Sequence, residues 1–433
     1  MMTRALIERI EGEASLYFET QDGKIVWTEI AFPHFRGMER ILEGKKATDA
    51  LVLTPRVCGI CGHSHLLAAV RAIESAYAEA GHPVALSAKA ESIRELTLIL
   101  EIIQNHFKWL YLTILPELAT LAGPGAAQTP LKGAYAASLA TKILALFAGQ
   151  WPHSSYMLPG GVTCEPTHLE RAQAIGLLDE LIGFFEKETA GIGLDALLDF
   201  ATCREFNALD SDIGRLESSL MAAGMHRLGT AHDRFVVLGG HGFTTPARLH
   251  QTRIYAYDTA LVATEAAVCA GEKTHALNVR YRDRFYETGP LARGIASDVP
   301  LIKNLHRRYR DSAYTRIMAR VFETALLLRR AKTLLHSLPI SEPSFIPPAA
   351  LEGISAEGEG IVEAPRGTLI HRVGLTGGRI GRYSIITPTQ WNLGSAARND
   401  PAPAQLAMLG AADARQAGFI FRSFDVCSVC TTH

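Results

Sequence analysis

The 433-residue sequence lacks a long uninterrupted apolar run, an excess of charge of either sign, and cysteines spaced as in a disulfide-bonded scaffold. A membrane-spanning helix needs about 20 consecutive apolar residues, so we expect no direct membrane span. Lys and Arg number 43 against 44 Asp and Glu, which argues against nucleic acid as a partner. The seven cysteines are an odd number in a long chain, which favours reduced thiols.

The N-terminal segment MMTRALIERIEGE lacks the apolar core of a secretion signal, because charged residues begin within its first few positions. Together with the reduced thiols, this predicts a cytoplasmic protein, and attachment to a membrane through a partner subunit stays open. With 48% hydrophobic and 20% charged residues, the chain can bury a sizeable core.

Two Cys-x-x-Cys pairs lie near opposite ends of the chain. Cys58 and Cys61 are in RVCGICGHSH, and Cys427 and Cys430 are in DVCSVCTTH. Four sulfur ligands suit zinc, an iron–sulfur cluster or another soft transition metal. In structural zinc sites the two pairs usually lie within about 12 to 20 residues of each other. Because most of the chain separates them here, the pattern favours a buried catalytic metal centre over a local zinc anchor.

Helical patterns dominate the middle of the chain. Apolar residues recur at spacings of three and four from about residue 85 to 115, and a further helical segment covers about 312 to 338. Thr167 and Glu170 form a capping box that predicts the start of another helix. These segments predict the body of a helical bundle.

Two short segments have the pattern of antiparallel β structure. An Asp-Gly pair at 22–23 is a strong turn signal, and a Gly-Gly pair at 377–378 turns a segment rich in glycine and β-branched residues. We therefore predict a mainly α (α+β) fold, a large helical-bundle body with small antiparallel β patches near the N-terminus and around residues 355–390. One domain, residues 1–433, is expected because the N- and C-terminal segments must meet at the buried metal site.

Other segments accompany the cysteine motifs in a fixed order along the chain. They are RIEGE, FRGMERILEG, PGGVT, ETGPLAR, EAPRGTLIH and ITPTQWN. With the two cysteine motifs they resemble the large, catalytic subunit of nickel–iron hydrogenases over essentially the full chain. The resemblance implies reversible, heterolytic cleavage of H2 into two protons and two electrons at a Ni–Fe centre. The iron of that centre carries CO and two cyanide ligands, which maturation proteins install.

The resemblance also assigns the metal ligands. Cys58 and Cys427 match the terminal nickel thiolates, and Cys61 and Cys430 match the thiolates that bridge nickel and iron. The sulfur of Cys427 would take up the proton released from H2. Apart from the resemblance, the position of His65 four residues after Cys61 allows it to orient a sulfur as a hydrogen-bond donor or to bind another ion.

Further positions match residues that surround the centre in this family. Arg366 would place its fixed positive charge over the open coordination site. Glu11 would pass protons to and from a nickel thiolate, which requires a carboxyl pKa raised by burial. Thr389 resembles the residue that hydrogen-bonds a cyanide, and Pro365 and Leu369 would line the pocket.

A magnesium site is implied beside the C-terminal motif. Glu39 and the ring of His433 resemble its side-chain ligands, and the backbone carbonyl of Ile385 would be a third ligand. A hard cation with such ligands and water fits Mg²⁺.

Electron transfer requires a partner under this resemblance. Once four cysteines are assigned to the Ni–Fe centre, Cys164, Cys203 and Cys269 are isolated and too few for a cluster held by four thiolates. We therefore expect Fe–S clusters only in a small subunit, bound in a heterodimer or in a higher oligomer of such heterodimers.

Three positions depart from the family pattern. Glu13 stands where many relatives have His, Val426 where Pro is usual, and Glu117 where Asp is usual. These departures resemble the uptake and hydrogen-sensing branch, and whether Glu117 joins Asp425 and Arg366 above the centre stays open. The alternative function is a hydrogen sensor with slow turnover. A metal-free structural relative would have lost the four cysteines, and a thiol–disulfide or zinc protein would leave the other matches unexplained.

Overall fold

An antiparallel sheet begins the chain in the computed structural model, which describes residues 2–122, 130–239, 248–250, 258–271, 273–394 and 396–433. Its strands are β1 (Met2–Ile10), β2 (Gly12–Gln21) and β3 (Lys24–Ala31), in that order. The predicted hairpin at 22–23 is present, and both turn residues have the positive φ that such a turn requires, 52° and 72°. Strand β1 was not predicted, because Ile7 is its one buried residue and no regular alternation marks it.

Helices make up most of the remaining regular structure. In chain order they are α1 (Met38–Leu42), α2 (Ala47–Leu53), α3 (Gly62–Glu79), α4 (Ala88–Lys108), α5 (Leu115–Ala122), α6 (Pro130–Ala148), α7 (His168–Phe184), α8 (Leu194–Leu198), α9 (Asp212–Ala222), α10 (Pro290–Ala296), α11 (Pro300–Tyr309), α12 (Ala313–Ser337), α13 (Pro388–Asn392), α14 (Pro403–Met408), α15 (Ala414–Ser423) and α16 (Ser428–Thr431). π-helical segments extend α4 and α7 at Trp109–Ile114 and Phe185–Ala190.

The predicted apolar face of α4 lies at the centre of the helical body. Ile93, Leu96, Leu100 and Ile103 are fully buried, and α4 packs against α6 and α12. The helix begins where Ser87 accepts a hydrogen bond from the backbone of Ala90 at 3.1 Å, which satisfies one of the free amides of the first turn. Helix packing on this apolar face therefore supplies the core on which the site is built.

One helical stretch among the described residues, Leu131–Ala148 in α6, is long and apolar enough to cross a membrane. Half of that stretch is buried inside the molecule, where α6 packs against α4 and α7. Core helices of soluble proteins have the same length and composition, so α6 is explained by its packing.

The remaining strands form small antiparallel sheets. Three pairs are β4 (Met157–Leu158) with β5 (Gly161–Val162), β6 (Phe235–Val237) with β7 (Arg248–His250), and β8 (Val262–Ala266) with β9 (Leu277–Tyr281). The predicted patch around 355–390 is a sheet of β10 (Glu357–Ala364), β11 (Gly367–Thr376) and β12 (Arg379–Ile386). The glycines at 377–378 turn β11 into β12, as predicted, and Pro365 and Arg366 form the two-residue turn between β10 and β11.

Glycines let α3 pack directly on β10. A Cβ on Gly360 would lie 2.0 Å from the carbonyl oxygen of Ala68, and one on Gly358 would lie 2.0 Å from that of Ala72. Because α3 and β10 run in opposite directions at these contacts, the N-terminus of α3 lies beside the end of β10. The first cysteine pair and Arg366 are thereby brought to the same end of this layer.

The predicted fold class is confirmed: the chain is mainly helical with small antiparallel sheets, and its N- and C-terminal segments meet at the cysteine cluster. The expectation of one domain over residues 1–433 stays a prediction.

Candidate metal centre

The four motif cysteines converge in the interior. The Sγ atoms of Cys58 and Cys427 lie 3.9 Å apart, those of Cys61 and Cys430 3.5 Å, and those of Cys427 and Cys430 2.9 Å. None of the four is more than 4% exposed, and all are free thiols. Cys58, Cys61 and Cys430 have sulfurs within 4.8 Å of one another, which is close enough to bind one metal ion.

The electrostatics of this cluster fit a bound cation. Burial raises the pKa of the Cys61, Cys427 and Cys430 thiols well above the ordinary value. Burial acts on Cys58 in the same direction, but hydrogen bonds from the other three sulfurs outweigh it and lower its pKa. Without a metal, these pKa directions favour a single thiolate, at Cys58. A bound metal cation would hold all four sulfurs deprotonated together.

The first β-strands hold the C-terminal cysteine loop. Glu11 pairs with Cys427 in a parallel bridge, and its carbonyl accepts a hydrogen bond from the backbone of Ser428 at 2.9 Å. Gly12 has a φ of 88°, and a Cβ there would lie 2.1 Å from Ser428 Oγ. The RIEG segment therefore fits against the C-terminal loop only with glycine at this position.

Arg366 projects from the β10–β11 turn toward the sulfurs. Its Nε donates to the Asp425 carbonyl at 2.7 Å, and its Nη2 donates to the Asp425 carboxylate at 3.3 Å and to Asn105 Oδ1 at 3.4 Å. Its Nη1 is buried and has no hydrogen-bond partner among the described residues. Burial lowers the pKa of this guanidinium, but the charges of Asp425 and the cysteines outweigh burial and raise it. Arg366 is thus a fixed cation with one free donor.

A series of buried side chains, linked by ion pairs and hydrogen bonds, supports Asp425. Arg320 donates to the Asp425 carboxylate at 2.8 Å and to His106 Nδ1 at 3.2 Å. His106 Nε2 lies 2.8 Å from Glu323, and Arg293 pairs with both Glu323 oxygens at 2.7 Å. Burial lowers the pKa of His106 to about 3, so its neutral ring accepts at Nδ1 and donates at Nε2.

Glu117 has different partners from those considered in the sequence. Its carboxylate pairs with Arg9 at 3.0 Å and with Arg422 at 3.5 Å. The acceptors that contact Arg366 belong to Asp425 and Asn105. Glu117 therefore stands apart from the group above the sulfurs, because its ion pairs lie on the β1 and α15 side.

The Glu11 carboxylate lies beside the first cysteine loop. A Cβ on Gly59, between Cys58 and Cys61, would come within 3.3 Å of Glu11 Oε1. Burial raises the pKa of Glu11, and the charge of Cys58 raises it further. Arg366 and Lys108 act in the opposite direction. The carboxyl group can therefore carry a proton closer to neutral pH than an exposed glutamate.

The other predicted pocket residues lie around the same cluster. Thr389 Oγ1 accepts a hydrogen bond from the backbone of Cys427 at 3.2 Å, and Pro365 and Leu369 are buried. His65 contacts the His371 ring at 3.0 Å. Burial lowers the pKa of His65 to about 3, so this ring is neutral.

Glu39, Ile385 and His433 also lie together. The Ile385 amide donates to Glu39 Oε1 at 2.7 Å, and His433 Nε2 lies 3.4 Å from the same oxygen. His433 Nδ1 lies 2.6 Å from the Cys430 carbonyl, which can only accept, so Nδ1 carries a proton. His433 Nε2 therefore faces the Glu39 carboxylate, and these two groups together offer ligands for a cation.

Comparison with known proteins identifies the family. The model of nickel-dependent hydrogenases matches residues 36–115 and 270–433. The chain belongs to the nickel-dependent hydrogenase family. It is similar to the periplasmic [NiFeSe] hydrogenase large subunit of Desulfomicrobium baculatum, with 26% identity over 99% of this chain and 93% of that one. It is also similar to the sulfhydrogenase 2 subunit alpha of Pyrococcus furiosus, with 24% identity over 98% and 97%.

Solved structures agree at the level of the fold. The reduced Ni-Fe-Se hydrogenase from D. vulgaris Hildenborough matches with a TM-score of 0.83 and 20% identity, covering 100% of both chains. The reduced, active Ni-Fe-Se hydrogenase of Desulfomicrobium baculatum matches with a TM-score of 0.83 and 21% identity. The predicted resemblance and enzyme class are confirmed: this hydrogenase is an oxidoreductase acting on H2. One relative is periplasmic, so a cytoplasmic location stays a prediction.

Sequence reasoning missed the polar residues of α4 that hold the first cysteine loop of this hydrogenase. Glu101 accepts hydrogen bonds from the backbone of His63 at 2.8 Å and of Ser64 at 2.9 Å. Asn105 donates to the Ile60 carbonyl, between the two cysteines, at 2.6 Å. Buried polar residues at helical spacing in an otherwise apolar helix were the signal that could have identified them.

Proposed function

We propose that this chain is the catalytic large subunit of a nickel–iron hydrogenase that cleaves H2 heterolytically and reversibly into two protons and two electrons. The observation that supports this most is the convergence of four buried cysteine sulfurs, close enough to Arg366 for their charges to act on its guanidinium. Cys58 and Cys427 would be terminal nickel ligands, and Cys61 and Cys430 would bridge to an iron carrying CO and two cyanides. The bound metals would supply the redox-active Lewis acid at which H2 is polarised.

Cys427 and Glu11 would carry the proton. The two residues are backbone neighbours across the parallel bridge, and the Glu11 carboxyl lies close enough to the cluster for the charge of Cys58 to raise its pKa. The raised pKa of Glu11 suits a group that accepts and releases a proton at a higher pH than an exposed glutamate does. Glu11 is half-buried, which gives the proton a path toward solvent.

Arg366 would stabilise negative charge that develops at the centre. Its Nε and Nη2 are held by Asp425 and Asn105, which fixes the plane of the guanidinium. A donor that is already oriented needs no reorganisation when charge develops, and such groups contribute strongly in a buried site. His65, Pro365, Leu369 and Thr389 would complete the pocket.

A Mg²⁺ ion would bind Glu39, His433 and the carbonyl of Ile385. The Glu39 carboxylate suits a cation: burial raises its pKa, but the hydrogen bond and electrostatic attraction of His433 and the hydrogen bond from the Ile385 amide together outweigh burial and lower it. Because His433 follows the second cysteine pair, the ion would tie that loop to α1.

Electrons would leave through a partner. Among the described residues, Cys164, Cys203 and Cys269 belong to no group that could hold a metal ion. An Fe–S-cluster small subunit is therefore proposed, in a heterodimer or a higher oligomer of heterodimers. Maturation proteins would install the centre, and an uptake role is favoured by the departures from the family pattern. A slow hydrogen sensor would use the same site.

The test is metal analysis with infrared spectroscopy on the protein purified with its partner. We expect equimolar nickel, bands in the CO and cyanide stretching region, and H2-dependent reduction of a dye. Cys61→Ser should remove all three, whereas Cys164→Ser, at a cysteine outside the cluster, should keep them. Zinc without infrared bands would refute the proposal, and turnover too slow to sustain dye reduction would indicate the sensor.

A further inference from the structure

One arginine joins the two cysteine loops from outside the sulfur cluster. Arg36 lies between β3 and α1, at a surface groove of about 570 Å³. Its Nη1 donates to the carbonyl of Arg56 at 3.1 Å, and its Nη2 donates to the carbonyls of Val57 and, at 2.7 Å, Val429. Three backbone carbonyls therefore converge on one guanidinium.

These carbonyls belong to both halves of the site. Arg56 and Val57 directly precede Cys58, and Val429 lies between Cys427 and Cys430. The backbone amide of Arg36 also donates to the Thr432 carbonyl at 3.2 Å. One residue thus makes four contacts to two loops that come from opposite ends of the sequence.

The chemistry of these contacts requires arginine. A guanidinium carries five N–H donors in a planar fork, so it can serve several diverging carbonyls at once. Without a cation between them, the oxygens of the two loops would face each other with like partial charges. Charge-assisted hydrogen bonds of this kind are stronger than neutral ones.

We propose that Arg36 is a positioning residue that fixes the separation of the two cysteine loops and, through it, the spacing of the four sulfurs. The inference rests on the proposed function, because that spacing matters for activity only if the sulfurs share one metal centre. Arg36 touches backbone carbonyls and acts on the sulfurs through them.

The experiment compares Arg36→Gln and Arg36→Lys with a matched control, Arg40→Gln. Arg40 is an exposed arginine on α1 whose guanidinium lies over the Phe35 ring at 5.8 Å. Amide hydrogen exchange of residues 426–433 is measured by mass spectrometry on the full chain with its co-purified partner. Retention of nickel against a chelator is followed on the same samples.

Arg36→Gln should raise exchange in 426–433 about tenfold or more, the effect of losing one charge-assisted hydrogen bond, and should speed nickel loss. Arg36→Lys should recover part of the protection, and Arg40→Gln should match the wild type. Wild-type exchange in Arg36→Gln would overturn the proposal, as would equal acceleration throughout the chain. Absence of nickel from the wild type would instead refute the proposed function, because the exchange comparison does not require metal.

Discussion

Arg366→Lys separates the geometry of the guanidinium from its charge. Lysine keeps the positive charge but offers a single nitrogen on a flexible chain. Arg366 donates to the Asp425 carbonyl at 2.7 Å, and its free Nη1 remains for the centre. One lysine nitrogen cannot occupy both places.

The expected loss is kinetic more than structural. Removing one oriented donor from a site where charge develops typically slows turnover by about 10²–10³-fold. Asp425 keeps its ion pair with Arg320 at 2.8 Å, so the buried carboxylate is not left unpaired. We therefore expect H2 oxidation to fall by about 10²–10³-fold while nickel and iron stay bound.

The assay is H2-dependent dye reduction, with metal content and thermal unfolding measured on the same preparation. Arg372→Lys is the matched control, since Arg372 lies on β11 of the same hairpin and pairs with Glu359 at 2.8 Å. The control should keep wild-type activity. A wild-type rate in Arg366→Lys with both metals present would refute the role assigned to the planar fork. Loss of metal would show that Arg366 serves assembly of the site.

Four further outcomes are expected. Glu11→Gln should abolish most H/D exchange between H2 and water at unchanged metal content, since an amide cannot carry the proton; unchanged exchange would remove Glu11 from the relay. Glu39→Gln should lower the amount of magnesium that stays bound to the protein in the presence of a chelator, because the negative charge opposite His433 is lost. Magnesium content equal to that of the wild type would contradict the site. Burial raises the pKa of Glu101 from 4.5 to about 7, so its contribution to stability is full below 4.5 and is lost as pH rises through about 7. The Tm of the wild type should therefore fall more steeply between about pH 5 and 8 than that of Glu101→Gln. Parallel Tm–pH profiles for the two proteins would contradict this contribution of Glu101. Arg293→Met should lower the free energy of unfolding by about 3–5 kcal/mol in urea titrations, because two buried carboxylates lose their cation; a loss within error would show that they become protonated instead.

Local patterns predicted the elements whose signals are local. The hairpin at 22–23, the apolar face of α4, the capping box of Thr167 and the turn at 377–378 depend on near neighbours in the sequence, and all are present. Strand β1 carries no such pattern, because it is a half-exposed edge strand stabilised by pairing with β2. Its presence depends on the rest of the sheet.

The features of the site also divide into those that local motifs predicted and those that depend on contacts between distant segments. Motifs identified residues whose chemistry is fixed by residue type, such as Cys58, Cys427 and Arg366. The contacts of Asn105 and Glu101 with the first cysteine loop could not be predicted, because they join α4 to a loop about 40 residues away. The ion-pair partners of Glu117 could not be predicted either, since Arg9 and Arg422 come from distant segments of the sequence.

The sequence by itself determined the ligand types, the separation of the cysteine pairs and the helical character of the body. Only the tertiary structure decided that glycine contacts between α3 and β10 bring Cys61 and Arg366 together, and that Arg36 spans both cysteine loops. The physical reason is that side-chain chemistry is a property of single residues, whereas distance and desolvation arise only when remote segments pack.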